Sequence, residues 1–293
     1  MKLIKQSFEF INQTDFSLVG IKKHIEKCAR VSYKSEDKIT DTSYEKFVNM
    51  LESRGHDRPL EFGTVHLKMP ESEFRSLIDI LTSSRTYNDL WMHYKVVETW
   101  KEGYTVYVTT NYRYYKLMWN QMNTLSEYFD KTDSEHYPKR YTVHMILDRG
   151  VMDEFRTHVG LSHLAESTRY CNYSKDKFGN ELTFIKPCWL DDEKLKLYGP
   201  YHTVIRDKSP ESIFIANLNN VERDYLDLIK LGWTPQQARS VLPLGIKSEL
   251  ISCGFEDAWE NFFKRRDAPD AHPMAQEIAN PMHQKFIELT KMG

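Results

Sequence analysis

Hydrophobic side chains recur every three to four residues in several segments of the chain, which is the spacing of one helix face. The helices predicted in this way lie at residues 18–31, 44–51, 70–81 and 210–229. Thr42 and Glu45 are spaced as a capping box before the second of these helices, and Gly55 follows it. Thr234–Gln237 is a second box, which predicts a short helix leading to Arg239.

Other segments alternate between apolar and polar residues, which is the pattern of a strand with one buried face. Tyr141–Leu147 alternates most cleanly, and it leads through Asp148 into a short predicted helix that carries Glu154. Further strands are predicted at residues 64–68, 104–110 and 182–186. Because no linker, repeat or low-complexity tract divides the sequence, we expect a single domain over 1–293.

Charge and composition limit the classes of partner. The 293 residues include 40 basic and 42 acidic side chains, which gives a formal charge of -2. A protein that binds nucleic acid by neutralising phosphates normally shows a basic excess or a basic stripe. The sequence shows neither, so we expect no nucleic-acid partner and a small substrate whose anionic group meets a few placed arginines.

The cysteines indicate the compartment and the absence of certain chemistries. Cys28, Cys171, Cys188 and Cys253 form no CxxC pair and have no metal-ligand spacing, so no metal site is predicted. No signal peptide or long apolar run is present. The sequence therefore predicts reduced thiols in a soluble, cytoplasmic protein without a membrane partner, and none of the cysteines is expected to be a nucleophile.

One stretch, Phe155–Ser174, concentrates polar and charged side chains that could form a site. Ser167 and Arg169 lie two residues apart, so in an extended or irregular backbone both could donate to phosphate or carbonyl oxygens in one pocket. The alternative interpretation is a polar helix end with a solvated arginine. Composition alone does not choose between the two.

This stretch resembles the signature of the flavin-dependent thymidylate synthases. That signature is Arg-His-Arg, seven residues, and then Ser-x-Arg-Tyr. His158, Ser167 and Arg169 match it, whereas Thr157 and Val159 stand where the family has its two arginines.

Two further segments are similar to family elements. Gly55–Phe62 resembles a Gly-His-x-x-Pro/Val-Leu/Phe-Glu-His stretch, whose first histidine corresponds to His56 and contacts flavin phosphate; Phe62 replaces the second histidine. Ala238–Leu244 resembles the Ala-Arg-x-x-Leu-Pro element, in which Arg239 corresponds to an arginine that binds the nucleotide phosphate.

The segment from Trp259 to Ile278 resembles the family's Phe-x-x-Leu-Arg, Ala-His-Pro and Glu-Ile region. The resemblance assigns Arg266 to the catalytic arginine, which faces the uracil edge and favours the N3-deprotonated ring, so that C5 becomes more nucleophilic. Phe255–Asp257 replaces residues that contact flavin in the family.

The resemblance therefore implies a complete set of site residues. Arg266 and Ser167 are the implied catalytic residues. The implied substrate-binding residues are Glu154, Ser167, Arg169, Arg239 and Arg266. The implied cofactor-binding positions are His56, Thr157, His158, Val159, Glu166 and His272.

The resemblance also implies a fold and an activity. It covers about 30–70 and 141–290, which leaves an aromatic insertion at about 70–140. The implied fold is an α/β (α+β) domain with a helix-flanked mixed sheet, assembled as a homotetramer whose sites lie between subunits. The implied reaction methylates dUMP at C5 to dTMP, with 5,10-methylenetetrahydrofolate as carbon donor, FAD as carrier and reductant, and NADPH as electron source.

The departures at the flavin residues leave alternatives open. Charge-assisted hydrogen bonds contribute roughly 1.5–3 kcal/mol each, so the loss of two could weaken FAD binding strongly. One alternative is a related folate-dependent methylase or hydroxymethylase of another pyrimidine nucleotide. The other is a catalytically silent, nucleotide-binding homologue with weak or no flavin binding.

Overall fold

The computed structural model describes residues 1–83, 96–199 and 208–292. The α-helices of these residues are α1 (Leu18–Tyr33), α2 (Ser43–Ser53), α3 (Glu71–Ser83), α4 (Tyr112–Trp119), α5 (Arg149–Phe155), α6 (Asp192–Leu195), α7 (Pro210–Lys230), α8 (Pro235–Ala238), α9 (Glu256–Arg266) and α10 (Pro273–Met292). Short 3-10 helices lie at Glu36–Lys38, Arg58–Phe62, Asn123–Tyr128, Asp176–Phe178 and Arg239–Val241.

The strands of the described residues form three sheets. They are β1 (Lys2–Ile4), β2 (Ser7–Phe10), β3 (Thr64–Pro70), β4 (Val97–Glu102), β5 (Thr105–Asn111), β6 (Phe129–Asp130), β7 (Arg140–Asp148), β8 (Ser162–Ala165), β9 (Thr183–Ile185) and β10 (Lys247–Phe255). Two antiparallel four-stranded sheets have the orders β2-β7-β10-β8 and β4-β5-β3-β6, and β1 pairs with β9 in parallel. The α/β (α+β) class is confirmed.

The sheet that carries the signature stretch is built on β7 and β10. These strands pair along their full length, from Lys247 opposite Asp148 to Phe255 opposite Arg140. Eight of the nine β10 residues are buried, because helices and the other sheet cover both of its faces. Such a strand lacks alternation, and the hydrophobic pattern of the sequence does not predict it.

The second sheet comes largely from the predicted insertion at about 70–140, of which residues 84–95 lie outside the described part of the chain. Val106 and Val108 of β5 share one hydrophobic core with Ile21 and Ile25 of α1 and with Ile251 of β10. The insertion therefore packs on the same core as the N-terminal helices. The single-domain organisation stays a prediction.

The sequence pattern located most of the helices. α1, α3 and α7 lie where the apolar spacing placed them, and Ser209 caps α7 by accepting a hydrogen bond from the Ser212 backbone. The capping box proposed at Thr42 is wrong, because the Thr42 side chain makes no capping hydrogen bond. The neighbouring Ser43 hydroxyl accepts from the Thr40 backbone instead (2.8 Å) and donates to Glu26 of α1.

Candidate functional site

A cavity of about 320 Å³ lies beside the signature stretch, and we call it the arginine cavity. Three guanidinium groups line it, from Arg149, Arg156 and Arg239, together with Ser167 and Tyr33. Arg149 and Arg156 share a single carboxylate, that of Asp153, at 3.4 Å each. Arg239 makes no side-chain hydrogen bond or ion pair within the described ranges. The cavity is therefore rich in unneutralised positive charge, which suits a phosphate.

The local fold explains why these arginines converge. Arg149 is the first residue of α5, whose N-cap Asp148 accepts a hydrogen bond from Val151 (2.7 Å). The Arg149 backbone in turn donates to the Leu244 carbonyl (2.9 Å), which ties the start of α5 to the loop after the 3-10 helix that holds Arg239. Arg156 follows the end of the same short helix. The arginine cavity thus lies between α5, the segment after β8 and the Ala238–Leu244 segment.

The two signature residues near the cavity have different surroundings. Ser167 lines the arginine cavity, and its backbone donates to the Ser32 carbonyl (3.3 Å). Arg169 is exposed, and its Nε donates to Gln236 (3.1 Å) while its guanidinium lies 5.7 Å from the centre of the Tyr170 ring. Ser167 and Arg239 are therefore brought together, whereas Arg169 does not line this cavity.

A second cluster surrounds Arg266, at the end of α9. Its Nε donates to His158 Nε2 (2.7 Å), and its Nη1 donates to the Glu154 carboxylate (2.8 Å). Its Nη2 donates to the Glu154 carbonyl (2.9 Å) and the Thr157 hydroxyl (3.3 Å). The turn from Glu154 to His158 thus fixes the guanidinium in one orientation. Glu154 and Arg266 are neighbours, as the resemblance implies.

The protonation state of His158 fits this arrangement. Burial, and then the positive charge of Arg266, lower the pKa of His158 to about 4. The ring is therefore neutral near pH 7. Nε2 accepts the hydrogen bond from Arg266 Nε, so Nδ1 carries the ring hydrogen. His163, whose pKa burial also lowers to about 4, contacts the His158 carbonyl (3.2 Å) and lines the arginine cavity. Arg266 itself does not line that cavity.

The six positions assigned to the cofactor do not converge in the described part of the chain. Thr157 and His158 are bonded to Arg266, and Val159 is 66% exposed. Glu166 is buried and bound to Lys247 (2.8 Å). His272 is exposed and packs edge-on against Trp189.

His56 has a different position from the other five. It lines a cavity that shares Tyr33 and Leu164 with the arginine cavity, and its Nδ1 lies 3.5 Å from the Tyr33 hydroxyl. Within one chain the six residues therefore do not lie around one cavity: Glu166 lines the arginine cavity, His56 lines the neighbouring cavity, and the other four line neither.

Several groups near the site were missed in the sequence, namely Tyr33, Arg58 and Arg113. Tyr33 lies at the end of α1, and the other two line the cavity that contains His56. The run Asn111-Tyr-Arg-Tyr-Tyr115 offered a signal, since it interleaves an arginine with aromatic residues, but that pattern equally suits core packing. Tyr112, Tyr114 and Tyr115 are indeed buried, whereas Arg113 is half-buried.

The cysteines lie in surroundings that do not activate a thiol. Cys28, Cys171 and Cys253 are buried, and Cys188 is exposed. Burial, and then the nearby Glu166 carboxylate, raise the pKa of Cys171 to about 12, so the nucleophilic thiolate is scarce near neutral pH. In the described residues no cluster of His, Cys, Asp and Glu could hold a metal ion, and no helix is long and apolar enough to cross a membrane.

We expect a Cys171→Ser variant to bind nucleotide and turn over like the unaltered protein, because the Cys171 thiol is protonated and buried. Steady-state kinetics and mass spectrometry of the intact protein after incubation with nucleotide test this expectation. A loss of turnover with intact nucleotide binding would contradict it, and so would a covalent nucleotide adduct on any cysteine.

Comparison with known proteins identifies the family. The family model for the Thymidylate synthase complementing protein (Thy1) matches residues 130–290, which is more than half of the chain. This protein therefore belongs to the flavin-dependent thymidylate synthase family, as its signature resemblance indicates. A comparison with curated protein sequences gives no match.

A comparison with solved structures also gave matches. One is the UMP/dUMP methylase PolB from Streptomyces cacaoi bound with 5-Br UMP, at 13% identity over 99% of this chain and 92% of that chain, with a TM-score of 0.43. PolB bound with 5-Br dUMP gives 16% identity, 99% and 93% coverage, and a TM-score of 0.41. Thymidylate Synthase X from Helicobacter pylori, with FAD and dUMP, gives 16% identity over 49% and 65% of the chains, with a TM-score of 0.35.

Proposed function

We propose that this protein methylates the C5 carbon of a pyrimidine nucleotide, with dUMP as substrate and dTMP as product. The observation that carries the proposal is the arginine cavity, in which Arg239 and Ser167 of two separate family motifs meet Arg149 and Arg156. Family membership supplies the reaction class, and this cavity supplies a place for the nucleotide phosphate.

The phosphate is proposed to lie against the guanidiniums of Arg239, Arg149 and Arg156, with the Ser167 hydroxyl donating a further hydrogen bond. Arg149 and Arg156 are additions to the set that the family motifs provide. They stand close to positions 157 and 159, where the family arginines are missing. Their single shared acidic partner, Asp153, is half exposed and leaves both arginines able to bind an anion.

Arg266 is proposed to act on the uracil ring. A guanidinium stays protonated throughout the neutral range, so it stabilises the N3-deprotonated ring and raises the nucleophilicity of C5. Arg266 does not line the arginine cavity of its own chain. We therefore propose that the base meets Arg266 of a neighbouring subunit. This arrangement matches a homotetramer whose sites lie between subunits.

The proposed carbon donor is 5,10-methylenetetrahydrofolate, with FAD and NADPH as the redox pair. When bound, FAD would supply the reducing equivalents that convert the transferred one-carbon unit into a methyl group. The relative Thymidylate Synthase X is described with FAD and dUMP. The residues that the sequence assigned to FAD lie around no single cavity of one chain, so we propose that at least part of the flavin donor set comes from other residues or from a neighbouring subunit.

An Arg239→Gln variant tests the phosphate assignment. We expect its affinity for dUMP to fall by roughly 10- to 100-fold, since a charge-assisted hydrogen bond contributes about 1.5–3 kcal/mol. Titration calorimetry with dUMP and with deoxyuridine, which lacks the phosphate, measures the effect, and only dUMP binding should respond. Arg223→Gln is the control, because Arg223 is exposed on α7 and pairs with Asp224.

The proposed reaction is tested with the unaltered protein. Incubation with dUMP, methylenetetrahydrofolate, FAD and NADPH should give a nucleotide heavier by one methyl group, and UMP in place of dUMP defines the sugar preference. A hydroxymethylated product would identify the related hydroxymethylase instead. Unchanged dUMP affinity in Arg239→Gln would remove the phosphate site from the arginine cavity, and nucleotide binding without any product would indicate a silent homologue.

A further inference from the structure

Two further cavities, one of which adjoins the arginine cavity, have no place in the proposed chemistry of the nucleotide. The first, about 520 Å³ in volume, contains His56, Arg58 and Arg113, and we call it the outer cavity. It shares Tyr33 and Leu164 with the arginine cavity, so a ligand in it would lie next to the nucleotide.

The second is about 250 Å³ in volume, and we call it the inner cavity. Arg58 and Arg113 line both cavities, so the two are neighbours. The apolar and aromatic part of the inner lining includes Val96, Tyr114, Leu117, Leu161 and Phe255, and polar residues form the rest. Together the cavities have the size of a small-molecule site, which is typically about 300–1,000 Å³.

The inner cavity lies at the seam between the insertion and the part of the chain that matches the family. Asn111 and Leu117 come from β5 and α4 on one side, and Gly254 and Phe255 come from the end of β10 on the other. A side chain at position 254 would meet Leu161 at 2.5 Å, so the glycine allows this close approach. The family alone therefore does not provide this cavity, because half of its walls belong to the insertion.

The charges where the two cavities meet are partly neutralised. Arg113 pairs with Glu61 (2.6 Å) and lies 3.7 Å from Asp57, a carboxylate that also lines the outer cavity. The other oxygen of Glu61 accepts a hydrogen bond from Ser162 (2.7 Å). Arg140 donates to the Glu61 carbonyl (2.8 Å). Arg58 is exposed and makes no side-chain hydrogen bond or ion pair to any residue that the structure describes. Its guanidinium is thus available to an anionic ligand, with the His56 imidazole beside it.

We propose that the outer and inner cavities form one binding site for a heteroaromatic ligand that carries an anionic group. The ring occupies the inner cavity against Tyr114 and Phe255, and the anionic group lies in the outer cavity on Arg58 and Arg113. A flavin nucleotide and a folate share this chemistry. The choice of these two candidates rests on the proposed function, whereas the site itself rests on the cavities and their charges.

This site accounts for the missing arginines of the signature. Thr157 and Val159 cannot donate to an anion as arginines do, and His158 is occupied by Arg266. Arg58 and Arg113 place two guanidiniums near His56. Arg58 comes from the segment after α2, and Arg113 comes from the predicted insertion. The proposed donor set is therefore particular to this chain.

Direct binding measurements without nucleotide test the proposal. Flavin fluorescence is titrated with FAD and with riboflavin, which lacks phosphate, and calorimetry follows 5-formyltetrahydrofolate. Arg58→Gln should lower the affinity for the ligand that occupies the site, either FAD or the folate. The expected loss is about tenfold or more, as for one charge-assisted hydrogen bond. Riboflavin should bind equally to both proteins. Arg58 has no side-chain partner among the described residues, so the variant is expected to fold normally.

Two further variants make the outcome decisive. Arg54→Gln removes an exposed guanidinium four residues away that lines neither cavity, and it should leave binding unchanged. Leu117→Trp fills the inner cavity. If a flavin ring occupies that cavity, the variant should lower the affinities for FAD and riboflavin alike; if a pterin ring occupies it, only the affinity for the folate should fall. Circular dichroism verifies that this variant is folded.

The proposal is overturned if neither FAD nor the folate binds. It is also overturned if Arg58→Gln and Arg54→Gln give equal affinities. Its failure can be separated from failure of the proposed function, because dUMP affinity depends on Arg239 and is measured on the same samples. If FAD or the folate binds in an Arg58-dependent way but no nucleotide is methylated, the binding site is supported and the proposed reaction is contradicted.

Discussion

Between pH 6.5 and pH 4 the protein is expected to lose most of its folding stability. Three buried histidines and the partly buried His163 have pKa values well below the ordinary value of 6.5, chiefly because desolvation disfavours the charged ring. They are His24, with a pKa lowered to about 3, and His66, His158 and His163, each lowered to about 4. Below pH 6.5 these groups bind protons in the unfolded chain but not in the folded one.

The sign follows from proton linkage. A folded-state pKa below the unfolded value means that the unfolded chain takes up more protons, so stability falls as the pH falls. The contribution is complete above about pH 6.5 and is lost as the pH falls through the folded pKa values. Each such histidine changes the free energy of unfolding by about 1.4 kcal/mol per pH unit. Four give an upper limit of about 5 kcal/mol per pH unit, which solvent screening reduces.

Urea unfolding at several pH values from 7.5 to 4.5 measures this slope. We expect an uptake of at least two protons on unfolding near pH 5, against a typical total stability of about 5–15 kcal/mol. Asp148 acts against this loss of stability at low pH. Burial raises the pKa of its carboxyl, so the folded chain binds that proton more readily than the unfolded chain does. His66→Gln should reduce the uptake by about one proton, whereas the exposed His272→Gln should not. An uptake below one proton in the unaltered protein would contradict the prediction.

Helices could be predicted from the sequence where one face alone is buried. The apolar stripe of α7 runs through Leu218 and Tyr225, both buried, and the pattern therefore reports the structure directly. Strand β10 gave no such signal although it lies inside its sheet between β7 and β8. Both of its faces are covered, so apolar and small residues follow one another without alternation. Strand pairing between distant segments is likewise invisible in a local pattern.

The sequence predicts which residues belong to the candidate site better than it predicts how their side chains are arranged. The motifs selected Ser167 and Arg239, and the structure places both on the arginine cavity. They did not show that Arg169 turns towards Gln236, because that depends on where α8 packs 67 residues further along the chain. Spacing within a motif fixes which residues are near one another. The direction of each side chain depends on partners elsewhere in the sequence.

The chemistry of Arg266 shows the same limit. Its resemblance to a catalytic arginine rests on the end of α9. Its four hydrogen bonds within the described chain go to Glu154 near the end of α5 and to Thr157 and His158 just after it, more than 100 residues earlier. Neutral His158 and the Glu154 side chain hold the guanidinium from two sides. Such a fixed orientation suits a group that must meet a developing negative charge without reorganising.

Replacement of Arg266 should therefore remove most of the activity while leaving nucleotide binding largely intact. We expect Arg266→Lys to lower turnover by about 10²–10³-fold, the usual loss for one preorganised donor at a developing anion. Lysine keeps the charge but has no planar fork, so it cannot contact His158, Glu154 and the uracil edge together. Single-turnover kinetics with dUMP, alongside calorimetric dUMP affinity, separates this effect from weakened binding. Equal losses in affinity and turnover would remove Arg266 from the chemical step.

A mixing experiment then tests whether the site is shared between subunits. Arg239→Gln lacks the phosphate contact and Arg266→Lys lacks the uracil contact, so each should be impaired alone. If the phosphate binds to one subunit and the ring meets Arg266 of another, mixed oligomers contain some sites with both residues intact. Unfolding and refolding the two variants together should then restore activity well above that of either refolded alone. Absence of recovery, with mixed oligomers demonstrated by native mass spectrometry, would place Arg239 and Arg266 in the site of a single chain.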